Sequence, residues 1–256
     1  MLRVSREGRD SIVEVWTIDR PHAANAIDSA TVDALEQALR AIAADPPRGL
    51  VIASAPRPAG ARPVFLSGAD LGEVQSIASA DQARGFSLRM TTLLQTLAQL
   101  PLLVIAAISG DVYGGGCELV TACDLRVAQP GIQLSFRQAR MGLSTGWGGT
   151  TRIVRLIGLG AAKRLMLTGL PCAADEALRI GLVDELATDA RARAIEIVLA
   201  AAEGGRDAVA RLKAGLHDAA ELDRAASYAR ELDRFVESWS SDEHRAAIDA
   251  LRARKP

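Results

Sequence analysis

"YGGGCELVTACD", residues 113–124, sets three consecutive glycines almost directly before an acidic residue and a short apolar run. A backbone amide can donate to a developing negative charge only where no side chain blocks the approach. Glycine removes that block and opens unusual φ angles. Upstream lies "LLVIAAIS" (102–109), a short apolar run bounded by Pro and Gly, as buried strands are. The order is therefore strand, glycine loop, helix. Gly114, Gly115 and Gly116 present their amides at a helix N-terminus, where partial positive charge collects. Glu118 then falls in the first turn, close to whatever the amides hold. A tight turn followed by a Glu that suits the helix dipole would look the same, so this stretch alone leaves both readings open.

A second stretch has the same character. In "VFLSGADLGEV" (64–74) the small residues Ser67, Gly68 and Ala69 follow a strand-like run, and Asp70 is placed to cap a helix starting near Leu71. Two loops that expose backbone beside a helix start can each lend one amide to a single oxyanion.

Working outward, "SIVEVWTID" (11–19) alternates in part, as a half-buried strand does, and "GLVIASA" (49–55) reads as a buried strand. Residues 28–45 carry Val32, Leu35, Leu39 and Ile42 at helical spacing behind Asp28 or Ser29 as cap. A second helix spans 80–100 and stops at Pro101. Strands alternating with helices predict an α/β fold. After residue 187 no strand pattern remains. Segments 190–202, 206–216, 219–239 and 241–256 read as amphipathic helices, with Gly204-Gly205 as a break. The division is a body over 1–187 and a helical region over 188–256, whose apolar stripes need the body or another subunit to pack on.

The 256 residues are 49% hydrophobic, enough for a sizeable core, and the formal net charge is −1. With only 4% aromatics, neither a polyanion partner nor a stacking platform for nucleic acid is expected. Cys117, Cys123 and Cys172 fit no zinc spacing and read as buried thiols in a reducing compartment. No two histidines sit at metal-ligand spacing, so no metal is expected. The charged start "MLRVSREGRD" and the shortness of the longest apolar run imply a soluble, cytoplasmic protein with no membrane partner. "GLGAAK" (158–163) lacks the full phosphate-loop pattern and is set aside.

Together these stretches resemble the crotonase (enoyl-CoA hydratase/isomerase) superfamily. "IDRPHAANAID" (18–28) resembles its opening strand and turn, and "FLSGADLGEV" (65–74) its G-A-D loop. "VIAAISGDVYGGGCELVTACDLRVAQP" (104–130) resembles its central strand, glycine loop and helix. "FRQARMGLSTGWGGTTRIVRLIG" (136–158) and "LTGLPCAADEALRIGLVDEL" (167–186) match two later segments, so the likeness runs along nearly the whole chain. It implies a spiral of ββα units with a C-terminal helical trimerisation region, and a homotrimer or a hexamer built as a dimer of trimers. It also implies an acyl thioester substrate whose coenzyme A or carrier-protein pantetheine arm is part of the substrate, with no separate cofactor. By motif position the oxyanion amides are those of Ser67 and Gly115, and Glu118 is the proton-transfer group. Losing one such donor costs about 3–4 kcal/mol of transition-state stabilisation. His22, Ala24, Ala69, Asp70, Leu71, Gly114 and Trp147 fall at substrate-contacting positions. His22, near the nucleotide end, is equally readable as a surface residue. Lys255 matches a basic ending near a coenzyme A phosphate.

The likeness breaks at one chemically important place. Hydratases of the family carry a second glutamate, and the matching position here is Gln138. Glutamine orients a water or substrate group but does not transfer a proton at neutral pH. Trp147 also replaces a small residue, either to narrow the acyl pocket or to pack the core. With one carboxylate the first expectation is double-bond isomerisation of an enoyl thioester, with Glu118 as shuttle. Alternatives are hydration of a 2-enoyl thioester, decarboxylation of a malonyl-type thioester, and a non-catalytic acyl-thioester-binding protein.

Overall fold

The structure, a computed structural model, describes residues 1–253. Ten strands run β1 (Leu2–Glu7), β2 (Val13–Ile18), β3 (Gly49–Ser54), β4 (Val64–Leu66), β5 (Leu103–Ile108), β6 (Asp111–Tyr113), β7 (Leu125–Ala128), β8 (Gln133–Ser135), β9 (Cys172–Ala173) and β10 (Glu185–Leu186). The helices are α1 (Ser29–Ala44), α2 (Leu71–Ser76), α3 (Ala80–Ala98), α4 (Gly115–Val120), α5 (Gly149–Thr168), α6 (Ala174–Arg179), α7 (Ala190–Ala202), α8 (Arg206–Glu221), α9 (Arg224–Trp239) and α10 (Asp242–Ala253).

The strands divide into a six-stranded sheet, β1-β2-β3-β5-β7-β10, and a four-stranded sheet, β4-β6-β8-β9. The pairs β3–β4, β5–β6 and β7–β8 each place one strand in each sheet and are then followed by helix. That repeat is the expected ββα spiral. From β2 to β10 the larger sheet is parallel, while β1 joins it antiparallel.

Helix starts follow the capping chemistry of the sequence. Asp28 accepts from Thr31 N at 2.8 Å to open α1, whose Val32, Leu35, Leu39 and Ile42 are buried as their spacing predicts. Ser79 and Gln82 form a reciprocal capping box at α3. One expectation is corrected at β2. It was read as half-buried, yet all six of its residues are buried. Trp16 and Ile18 face the main core with α1 and α3, while Val13 and Val15 face a second apolar layer. That layer is closed by Ala190, Ala194 and Val198 of α7. A strand covered on both faces needs no polar side.

α7 therefore lies on the sheet of the body. The helices beyond it make different contacts. α8 is tied down by Lys213, whose Nζ donates to Leu102 O at 3.0 Å and Asp124 Oδ2 at 2.7 Å. α9 packs on α8 and α10 on α9. The single helix expected over 219–239 is broken at Leu222. There the backbone is extended and Asp223 caps a new helix, accepting from Ala225 N and Ala226 N at 2.9 and 3.0 Å. Leu212, Leu216, Tyr228, Leu232, Phe235 and Trp239 of α8 and α9 are each more than half exposed. Lys255 lies outside the described residues. Among the described residues no helix is long and apolar enough to cross a membrane, and no cluster of His, Cys, Asp and Glu is arranged for a metal.

Candidate active site

The two amide-presenting loops meet. β4 delivers the chain to Ser67, and Gly68 then turns with φ 100°. A methyl group placed on Gly68 would lie 2.9 Å from Gly115 N and cover that amide. Only glycine meets both demands, positive φ and close approach. On the other loop Gly114 also has positive φ, 52°, and donates its own N–H to Ser135 O at 2.9 Å. Gly115 is the first residue of α4, so its N–H has no acceptor within the helix. Neither Ser67 N nor Gly115 N donates a hydrogen bond to any described residue.

The segment after β2 positions this pair. Ile27 N donates to Gly68 O at 2.8 Å, and Asp70 N donates to Ile27 O at 2.9 Å. Ala24 and Asn25 take left-handed backbone (φ 51° and 55°). That turn lets the fully buried Asn25 amide donate to Ala55 O at 2.9 Å and Val64 O at 3.1 Å. Arg20 binds Asp28 at 3.1 Å, Asp70 at 2.9 Å and Ala26 O at 2.7 Å. Its hydrogen bond holds the Asp70 carboxyl below the usual range, opposed by partial burial and helped by the Gly72 amide. Burial pushes Asp28 up, but the Thr31 hydroxyl and amide together with Arg20 outweigh it and leave it lowered. Arg20 and Asn25 were not singled out from the sequence; the pointer was their place in the opening motif.

Glu118 is 2% exposed and bound at both oxygens. Oε2 accepts from Trp147 N at 2.8 Å and Gly149 N at 2.9 Å, at the N-terminus of α5. Oε1 accepts from Gln138 Nε2 at 2.9 Å. Arg152, one turn into α5, donates to the Glu118 carbonyl at 3.1 Å and ties α4 to α5; burial lowers its pKa, and the nearby Glu118 charge opposes that. The structure thus brings Glu118 and Gln138 into direct contact. It adds Gly149, Arg152 and the Trp147 amide, which sequence reasoning missed. Gln138 Oε1 is buried and accepts from no described group.

Trp147 is buried, with its ring on Gly115 and the edge of Phe86 at a centroid distance of 6.0 Å. Ala69 is partly buried beside the meeting loops, and Leu71, which opens α2, is 61% exposed. His22 is exposed on the turn Pro21–Ala23. Burial pushes the Cys123 thiol up to about 12 and Cys172 to about 11, and raises Cys117 further still. None of the three is a thiolate nucleophile near neutral pH.

The arrangement pairs two amides that have no acceptor among the described residues with one carboxyl group, the equipment for enolate chemistry. Comparison with known proteins agrees. The family model "Enoyl-CoA hydratase/isomerase" matches residues 7–256. The short-chain-enoyl-CoA hydratase of Clostridium acetobutylicum is 32% identical over 250 residues, 97% of this chain and 93% of that one. The ethylmalonyl-CoA decarboxylase of Gallus gallus is 40% identical over 135 residues, covering 53% of this chain and 43% of that one. The crystal structure of an enoyl-CoA hydratase from Bacillus anthracis superposes with a TM-score of 0.91 at 29% identity, over 99% of this chain and 96% of that one. With its ββα spiral, its two meeting loops and a family match along nearly its whole length, the chain belongs to the enoyl-CoA hydratase/isomerase family of the crotonase superfamily.

Proposed function

We propose that the chain adds water across the double bond of a 2-enoyl thioester of coenzyme A. The observation that carries this reading is the pair Glu118–Gln138, with Gln138 Oε1 buried and lacking a donor. A water that donates one hydrogen to Gln138 Oε1 and the other to Glu118 Oε1 keeps a lone pair for attack on C3. Its proton passes to Glu118 Oε1, the less occupied of the two oxygens. The electron pair moves onto the thioester oxygen between Ser67 N and Gly115 N. Glu118 then returns the proton to C2, so one carboxyl group serves as base and then as acid. The printed names of the hydratase relatives support the same reading. Isomerisation, the first expectation from the sequence, uses Glu118 alone and gives Gln138 Oε1 no work.

A second reading is favoured by the single carboxylate and by the decarboxylase relative. Loss of carbon dioxide from a malonyl-type thioester leaves an enolate for the same amides to hold, and Glu118 protonates it. Incubation with crotonyl-CoA and ethylmalonyl-CoA followed by mass spectrometry separates the three reactions as gain of water, loss of carbon dioxide, or unchanged mass. Gln138→Leu should lower hydration on the order of 100-fold. Gln138→Glu should raise it, because two carboxyls in contact share one proton and supply an acid and a base together. A parent that releases carbon dioxide and takes up no water would refute the hydratase reading.

We also propose that the chain works as a homotrimer or a dimer of trimers, through the exposed apolar side chains of α8 and α9. An uncovered patch of that kind is rare on a monomer. Light scattering at micromolar concentration should give three or six times the chain mass. A monomer there would remove the proposal.

A further inference from the structure

We propose that the Trp147 indole closes the acyl end of the site and restricts it to short-chain acyl thioesters. This rests on the reading above only in placing the thioester carbonyl between Ser67 N and Gly115 N. Trp147 has two separate parts. Its backbone N–H holds Glu118 Oε2. Its side chain lies flat against the glycine run: a methyl group on Gly115 would come within 2.4, 2.5 and 2.9 Å of three indole carbons. The indole also meets Phe86 of α3 in an edge-to-face arrangement, at an interplanar angle of 66°. α3 also fastens the loop just before it. The Ser87 and Thr91 hydroxyls both donate to Gly146 O, the latter at 3.1 Å.

A carbonyl held by the two amides places its next two carbons beside Glu118. The Trp147 indole flanks that position, packed on Gly115 while its own backbone N–H binds Glu118 Oε2. A longer chain must push out an indole that is 4% exposed, packed against Gly115 and Phe86 and carried on a fastened loop. Interiors packed to that density do not yield cheaply. A cleft of ≈ 430 Å³ also lies between α2 and α3, beside Ala69 and Asp70 of the first loop. Ile27, Val74, Ile77 and Phe86 line it, but so do Asp70, Glu73 and Arg89. An alkyl tail threaded there would strip water from charged groups without replacing their hydrogen bonds. A tail using the cleft would also be indifferent to Trp147, so the two routes are experimentally separable.

The test is calorimetric binding of butyryl-CoA and decanoyl-CoA to the parent, Trp147→Ala and Phe86→Ala. These saturated probes undergo no hydration, so pocket size is read whether or not the chain adds water. The product assay above judges the reaction separately. The parent should favour butyryl-CoA by about tenfold or more. Trp147→Ala should tighten decanoyl-CoA by about tenfold relative to butyryl-CoA. Phe86→Ala, which frees the indole to tilt, should move the preference the same way by less. If Trp147→Ala fails to fold, Trp147→Leu, which keeps a smaller apolar side chain there, decides in its place, because Phe86 also lines the cleft. A parent that binds decanoyl-CoA as tightly as butyryl-CoA overturns the proposal. So does an unchanged decanoyl-CoA affinity relative to butyryl-CoA in the folded variants.

Discussion

Glu118→Gln is expected to lose on the order of 100-fold or more in turnover while keeping both the fold and thioester binding. The variant keeps size and shape, and its hydrogen bonds can be rebuilt. The new amide oxygen can still accept from Trp147 N and Gly149 N, as Glu118 Oε2 does at 2.8 and 2.9 Å. Its NH₂ then meets Gln138, which now points an NH₂ at the same place. Gln138 needs only to rotate its amide and offer Oε1, which has no donor in the parent. What disappears is the ability to carry a proton. Melting temperature and butyryl-CoA affinity near parental values, with turnover of crotonyl-CoA collapsed, is the expected result. A parental rate would take Glu118 out of the mechanism and leave the oxyanion amides as the whole of the catalyst.

Gly149→Ala should cost both stability and rate, although it adds one methyl group and removes nothing. The new carbon would lie 2.5 Å from Glu118 Cγ, 2.8 Å from Oε2 and 2.9 Å from Cδ. Glu118 cannot yield sideways, because it is buried and bonded at both oxygens. Either the carboxyl group leaves its seat on the start of α5 or the helix itself shifts. Overpacking of this sort costs about 1–3 kcal/mol. A displaced proton-transfer group typically loses about 100-fold in rate. Thermal unfolding and steady-state kinetics on one preparation read both effects. Parental kinetics would mean that the contact between α4 and α5 does not set the position of Glu118.

Much of the molecule was legible before any coordinates. The glycines at 114–116 and at 68, the caps Asp28 and Asp70, the apolar spacing of α1 and the stop at Pro101 after α3 are local signals. Each depends on φ preference, hydrogen bonding or periodicity within a few residues. The family motifs assign Ser67, Gly115 and Glu118 to two loops, and the structure sets those loops in contact. The failures are also physical. β2 was misread because partial alternation says nothing about a second layer, and α7, far along the chain, is what covers its other face. The break at Leu222 was missed because an Asp inside an amphipathic run is read as a solvent-facing residue until its side chain is seen capping.

The sequence by itself determined the α/β class and the glycine-rich loops, through residue type at given spacing. Its resemblance to a known family implied the spiral and the loss of one carboxylate at Gln138. Only the tertiary structure decided what those residues do to one another. Glu118 takes its hydrogen bonds from Gln138, Trp147 and Gly149, at separations of 20, 29 and 31 residues. Trp147 lies on Gly115, Gln138 keeps a buried oxygen without a donor, and α9 is left with an apolar face uncovered. Such contacts depend on how two sheets stack and how α4 meets α5. No local preference encodes that geometry: it is the sum of every buried surface in the fold.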